Sequence, residues 1–144
     1  MTIAAADVIR IERYYPQQPA KVWQALTEPE LLARWWASGD IRPVEGHRFD
    51  LDMGQWGKQP CQIIRAEPEQ LLSFHFATGM LNTTITWELI PQDNGTLLRL
   101  THEGFDLTSP LGKTALEGMQ SGWPKVLERL QQVLAEGADP VNHA

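Results

Sequence analysis

The spacing of apolar positions changes character twice along this chain. Val8, Ile9, Ile11, Tyr14 and Tyr15 alternate imperfectly and predict a first strand, ended by Pro16 and Pro19. Val22, Trp23 and Leu26 then fall at helical spacing, with Pro19 suited to a first turn. Thr27, Pro29 and Glu30 predict a second helix start, with Thr27 as its cap and Glu30 three residues on, as in a capping box. Leu31, Leu32, Trp35 and Trp36 supply the apolar side of that helix. Two helices so short and so closely joined are expected to form a V-shaped pair at the edge of a sheet.

From Ile41 to Phe105 the period becomes two. Phe49, Leu51 and Met53 alternate with Arg48, Asp50 and Asp52, which predicts a half-buried strand. Residues 54–60 hold Gly54, Gly57 and Pro60 and read as a turn region containing Trp56. Strands are predicted over 61–66, then through Leu72, Phe74 and Phe76, then over 82–90 with Thr83, Ile85, Trp87 and Leu89 on one face. Asp93, Asn94 and Gly95 supply a hairpin turn tolerant of left-handed backbone, and the chain returns through Leu98, Leu100 and His102. Five or six short strands joined this tightly predict an antiparallel meander, and no strand–helix–strand spacing suits a parallel sheet.

The period then becomes helical. Leu116, Met119, Trp123, Val126, Leu127, Leu130, Val133 and Leu134 form one stripe of a helix from Leu111 to about Glu136. Pro124 is expected to bend or restart it, and Gly118 and Gly122 weaken its first half. A helix of about 24 residues spans roughly 36 Å, enough to cross five or six strands about 4.8 Å apart. A curved sheet wrapped on a straight rod does not close tightly everywhere, and a ligand pocket is expected where it stays open. The expected layout is one domain over 1–136 with a flexible tail over 137–144.

Composition narrows the function classes. A chain of 144 residues supports one main core, and 42% hydrophobic content argues against disorder. Six tryptophans imply a thick core or an aromatic-lined pocket. The four lysines and eight arginines are scattered and the net charge is −6, so no nucleic-acid or anionic-membrane footprint is present. No apolar run approaches the ~20 residues of a membrane span, and the first residues lack the basic-then-apolar pattern of a secretion signal, so none is expected. A cytoplasmic protein, monomeric or weakly dimeric, is the expectation. Cys61 is the single cysteine. It permits no intrachain disulfide or cysteine-based zinc cluster, and inside an apolar strand it reads as inert packing.

The residues also carry a resemblance. Pro19, Val22, Trp23, Ala25, Leu26, Thr27, Pro29, Leu32, Trp35 and Trp36 resemble the opening of proteins related to the activator of Hsp90 ATPase. That family lies in the START-like, helix-grip superfamily of polyketide cyclases and lipid-transfer domains, also called Bet v 1-like. Glu45, Gly46 and Phe49 continue the match, as do the segments 72–76, 95–105 and Gly122, Trp123, Pro124, Leu127 and Leu130. The resemblance covers nearly the whole chain in order and implies an α+β fold. A curved antiparallel sheet of about six strands would wrap a long C-terminal helix, with two short helices after the first strand. Glu45-Gly46 stands where the family has a double glycine. Pro60 and Cys61 stand where it often has a glycine, so that strand is expected to start late, beside a bulge or edge.

The candidate site follows from the faces. Phe49, Leu51, Met53, Phe74, Phe76, Ile85, Trp87, Leu98 and Leu100 form the concave face by period-two logic, and those near the open end would line a pocket. Trp35 and Trp36 cannot face the same way, so one anchors the helix and Trp36 is assigned to the cavity mouth. Met119 and Trp123 would form the floor, where Gly118 and Gly122 leave room. His102 points inward beside leucines. It is expected either to bond a backbone carbonyl or tyrosine hydroxyl, or to anchor a polar group of a ligand.

Catalytic chemistry finds little support. There is no Gly-x-Ser-x-Gly elbow, no glycine-rich phosphate loop and no ligand spacing among His47, His75, His102 and His143. Asp50 and Asp52 read as solvated residues on the convex face. Neither a cofactor nor a metal ion is expected. The leading expectation is non-catalytic binding of an apolar or amphipathic small molecule such as a lipid, fatty acid, polyketide or flavonoid. The alternative is a protein partner, an Hsp90-type chaperone. The known activators carry a further N-terminal domain, for which Met1–Asp7 is expected to leave no room. A cyclase or hydrolase using pocket polar groups comes third.

Overall fold

The period-two stretches become the strands of one sheet. The computed structural model describes residues 8–137. Strands β1 (Val8–Tyr15), β2 (Arg48–Asp52), β3 (Lys58–Glu67), β4 (Leu71–Phe76), β5 (Thr83–Gln92) and β6 (Gly95–Glu103) lie in the order β1-β6-β5-β4-β3-β2, each neighbour antiparallel. β1 and β2 are the two edges, and the connection between them carries α1 (Pro19–Thr27) and α2 (Pro29–Trp35). After β6, α3 (Pro110–Gly137) packs against α1, α2 and β1. This is the curved α+β helix-grip arrangement expected from the alternation and the resemblance. Of the tail expected over 137–144, Gly137 closes α3 and the rest lies outside the described residues.

The pleat sorts the side chains. Leu51, Phe74, Ile85, Trp87, Leu98 and Leu100 are buried on the concave face. The opposite face carries charge, with Arg99 Nε 2.6 Å from Glu12 Oε2 and Arg99 Nη1 3.5 Å from Glu88 Oε1. At this exposure such pairs contribute little to stability. The β5–β6 hairpin turns through Asp93 (φ 46°) and Asn94 (φ 67°), the left-handed pair that matches the twist of its strands.

Helix α3 is fastened by polar ties as well as by its stripe. The Tyr15 hydroxyl donates to the Leu127 carbonyl at 2.9 Å, and burial pushes its phenol pKa up. Arg129 Nε donates to the Trp35 carbonyl at 3.1 Å, holding α3 against the end of α2.

Three local expectations are corrected. Thr27 does not cap α2: it is still the last residue of α1, and its hydroxyl bonds back to the Trp23 carbonyl at 2.8 Å. The cap position falls on Glu28, whose backbone is already extended (φ −96°, ψ 123°) and whose side chain makes no cap bond. β3 does not start late, because Pro60 lies within it opposite Asp50. The Pro60 carbonyl accepts from Thr78, just beyond the end of β4, so the missing N–H faces that side and removes no ladder bond there. The bulge occurs farther along, between Ile63 and Arg65. Finally, of the bend or restart expected at Pro124 the restart does not occur, since α3 runs through that residue as one helix.

Candidate functional site

Between α3 and the β2–β3 end of the sheet lies a cavity of about 650 Å³, within the ~300–1,000 Å³ typical of small-molecule sites. Its helical wall uses one face of α3, running through Leu111, Ala115, Gly118, Gly122 and Val126 to Arg129. Opposite stand Phe76 of β4 and Gln59 of β3, with Trp36 and Trp123 closing the inner end. Met53, the 3-10 turn Gly54–Trp56, and Met80 and Leu81 after β4 form the mouth. Three of these apolar residues are open to solvent: Trp56 is 62% exposed, Met80 52% and Leu111 46%.

The space exists because α3 is poor in bulk where it crosses this end of the sheet. A methyl group added at Gly118 or Gly122 would meet nothing within 4 Å. At the other end the same helix sends Leu127, Leu130 and Leu134 into the core, while α1 packs over β5 and β6. Both glycines are inside a helix, where each costs roughly 0.5–1 kcal/mol against alanine. The double substitution Gly118→Ala, Gly122→Ala is therefore expected to raise unfolding stability by roughly 1–2 kcal/mol, with the cavity partly filled. Urea denaturation checks it, and a loss of stability would mean the wall is tighter than the geometry shows.

Of the thirteen side chains assigned to a cavity wall, Trp36, Met53, Phe76, Met119 and Trp123 line it. Phe49, Leu51, Phe74, Ile85, Trp87, Leu98, Leu100 and His102 do not. Each is buried to 6% exposure or less in the packed core. Alternation identified the inward face correctly for them but carried no information on what lies above it. The two adjacent tryptophans face different ways: Trp35 is buried at 1% exposure, with its indole N–H on the Ala25 carbonyl at 2.9 Å, while Trp36 reaches the cavity, at its inner end and not at the expected mouth. Asp52, expected on the solvated convex face, stays exposed yet borders the mouth.

Trp36 links the cavity to the aromatic core. Its ring centroid lies 5.1 Å from Trp123, 6.0 Å from Phe76 and 6.4 Å from Phe74. Trp87 sits edge-on to both Trp35 and Trp123, at 5.8 and 5.6 Å. Such tilted pairs stabilise the inner wall beyond plain burial.

Both nitrogens of His102 are engaged inside the core, and the residue does not border the cavity. The Trp123 indole N–H can only donate, and it reaches His102 Nδ1 at 3.1 Å. Nε2 therefore carries the ring proton and donates to Thr83 Oγ1 at 2.9 Å, whose own hydrogen goes to the Phe76 carbonyl at 3.2 Å. The partners are an indole and a threonine, not the carbonyl or tyrosine expected. Phe105, Phe76 and Trp123 pack around the ring at 4.6, 5.6 and 5.9 Å, and burial pushes its pKa down to about 3. Burial likewise pushes the Cys61 thiol up to about 12, so it stays protonated at neutral pH. Among the described residues, no three His, Cys, Asp or Glu side chains converge in a way that could hold a metal ion, and no helix is long and apolar enough to cross a membrane.

Gln59 is the buried polar cavity residue that sequence reasoning missed, along with the apolar Trp56, Met80, Leu81 and Leu111. Ile63 and Cys61 point inward, and stepping back two more residues reaches Gln59, which is 4% exposed. The glycines and proline of 54–60 masked that step.

The profile of a protein family described as "Activator of Hsp90 ATPase homolog 1-like protein" matches residues 16–135. Among solved structures, protein MLL2253 of Mesorhizobium loti is similar at 32% identity and a TM-score of 0.81, over 90% of this chain and 97% of that one. Protein BH1534 of Bacillus halodurans is similar at 30% identity and a TM-score of 0.77, over 88% and 96%. DynU16, from the dynemicin biosynthetic locus, aligns over 91% of this chain and 48% of its own with a TM-score of 0.78. At 22% identity it shows likeness of fold. No curated protein matches the sequence.

Proposed function

From the premise that the chain belongs to the activator of Hsp90 ATPase homolog 1-like family, we propose that it is a non-catalytic carrier or sensor. It binds one apolar or amphipathic small molecule between α3 and the β2–β3 end of the sheet. The observation that carries this reading is the cavity of about 650 Å³. Aromatic rings wall its inner end and exposed Trp56, Met80 and Leu111 rim its mouth. An exposed tryptophan and methionine at the entrance of an apolar space are costly in water and useful to a ligand. The small α3 wall supports the same reading, because selection for stability alone would favour alanine over Gly118 and Gly122.

A thermal-shift and fluorescence screen with fatty acids, flavonoids and polyketide-like aromatics tests it. Trp36, Trp56 and Trp123 line the cavity, so an occupant is expected to change the tryptophan emission. At one hundred times its dissociation constant it should add about 2.7 kcal/mol of stability. Gly118→Leu, which places a side chain in open space, should keep the fold and lower the affinity at least tenfold. Absence of binding across the whole screen would overturn the proposal.

The exposed rim also favours a second reading, in which Trp56, Met80 and Leu111 seat a protein such as an Hsp90-type chaperone. Pull-down and stimulation of the chaperone's ATPase test that reading, with Trp56→Ser as the control expected to abolish both.

A further inference from the structure

Gln59 lies on the inward face of β3, opposite Leu51 of β2, and its side chain borders the cavity. Its amide orientation follows from its partner. A backbone carbonyl can only accept, so the atom 2.8 Å from the Trp56 carbonyl is the nitrogen Nε2. The two amide atoms diverge, and Oε1 is thereby turned away from that bond. It is buried and has no hydrogen-bond partner within the protein. Buried polar atoms are nearly always paired, because leaving one unpaired forfeits its interaction with water. The other polar side chains on the lining are Asp52 at the mouth and Thr114 and Arg129 on α3. The Asp52 carboxylate is anchored at the mouth, with its Oδ1 taking the Gly54 N–H at 3.0 Å.

We propose that Gln59 Oε1 is the polar anchor of the cavity, and that the ligand it takes is an apolar body carrying a neutral hydrogen-bond donor, a phenolic or alcoholic hydroxyl, rather than a carboxylate. This rests on the reading of the cavity as a small-molecule site. A hydroxyl gives Oε1 the proton it lacks while its carbon frame lies against Trp36, Phe76 and Met119. An ionised carboxylate has no proton to give and would face Oε1 acceptor to acceptor. A methyl ether keeps the frame but loses the donor. It must bury its own oxygen against Oε1, acceptor facing acceptor. A site arranged for a hydroxyl therefore rejects the ether far more sharply than a purely apolar pocket separates molecules differing by one methyl group.

The test is calorimetric titration of the monohydroxyflavones and, for each, its own methyl ether. The members of a pair share ring system and carbonyl and differ in the donor alone. The best-bound hydroxyflavone is expected to bind the unaltered protein about tenfold or more tightly than its ether. In Gln59→Leu, or Gln59→Met should the leucine variant not fold, the gap is expected to shrink below about twofold through loss of the hydroxyl ligand's affinity, with that of the ether unchanged. Equal binding of hydroxyflavone and ether to the unaltered protein overturns the assignment of Gln59 while leaving the cavity reading intact. So does a gap that survives in a folded variant. If neither member of any pair binds, this inference falls, and the cavity reading is decided by the wider screen. Flavone-carboxylic acids, titrated alongside, are expected to bind more weakly than the hydroxyflavones, and tighter binding of the acids would overturn the preference for a neutral donor.

Discussion

Trp123→Ala is expected to destabilise the protein by about 3–5 kcal/mol, the range for removing a large buried aromatic. Trp123 is 1% exposed and sits where three structural features meet. Its ring packs on Trp36 and Trp87, its indole N–H holds His102 Nδ1, and its other side closes the inner end of the cavity. Truncation merges the vacated volume with the existing space and leaves an imidazole acceptor buried without a donor. Lining a cavity does not soften this, because the ring's packing against the core is complete. Trp123→Phe separates the contributions by keeping most of the bulk while dropping the N–H, and should cost about 1–3 kcal/mol. Urea unfolding of both variants is the measurement. A loss below about 1 kcal/mol for the alanine variant would mean that the inner wall does not depend on this side chain.

Acid is expected to unfold the protein through His102 more than through any other single group described. The ordinary imidazole value is 6.5, and burial lowers it to about 3 in the folded state. Between those values the unfolded chain binds a proton that the folded chain refuses, so stability rises with pH across that window. The contribution is complete above about 6.5 and is lost progressively as pH falls toward about 3. At about 1.4 kcal/mol per pH unit it reaches at most ~5 kcal/mol. His102→Leu removes this dependence but strands the Trp123 N–H and one bond of Thr83. The variant should be less stable at pH 7 by about 1–3 kcal/mol and should lose less on acidification, so the two curves converge or cross below pH 5. Parallel curves would show that His102 already ionises freely in the folded protein. Carboxylate titrations are common to both proteins and cancel in the comparison.

The strands and helices were legible because each is specified by local pattern. The alternation of Ile85, Trp87 and Leu89 and of Leu98, Leu100 and His102, the Asp93-Asn94 turn and the α3 stripe each constrain only a few neighbouring residues. Where local rules competed, the outcome turned on a residue's own backbone state. Thr27 had both a capping role and a back-bonding role open to it, and helical backbone at that position selected the second. Pro60 looked like a strand breaker only while the place where β4 ends was unknown.

The cavity belongs to a different order of information. Period two says that Phe74, Phe76, Ile85 and Trp87 share a face. Whether each meets a packed helix or open space depends on how α1, α2 and α3 lie over that face, which joins residues far apart in sequence. Local chemistry alone therefore determined the inward face, the long helix and the two glycines that thin it. Long-range packing decided that β5 and β6 are covered while the β2–β3 end stays open. It placed His102 in a closed network with Trp123 and Thr83 and left Gln59, not the histidine, at the cavity wall. Periodicity is a property of the backbone and can be read from one chain segment. A void is a property of the surfaces that fail to meet around it, and those surfaces exist only once the sheet has curved and the helix has crossed it.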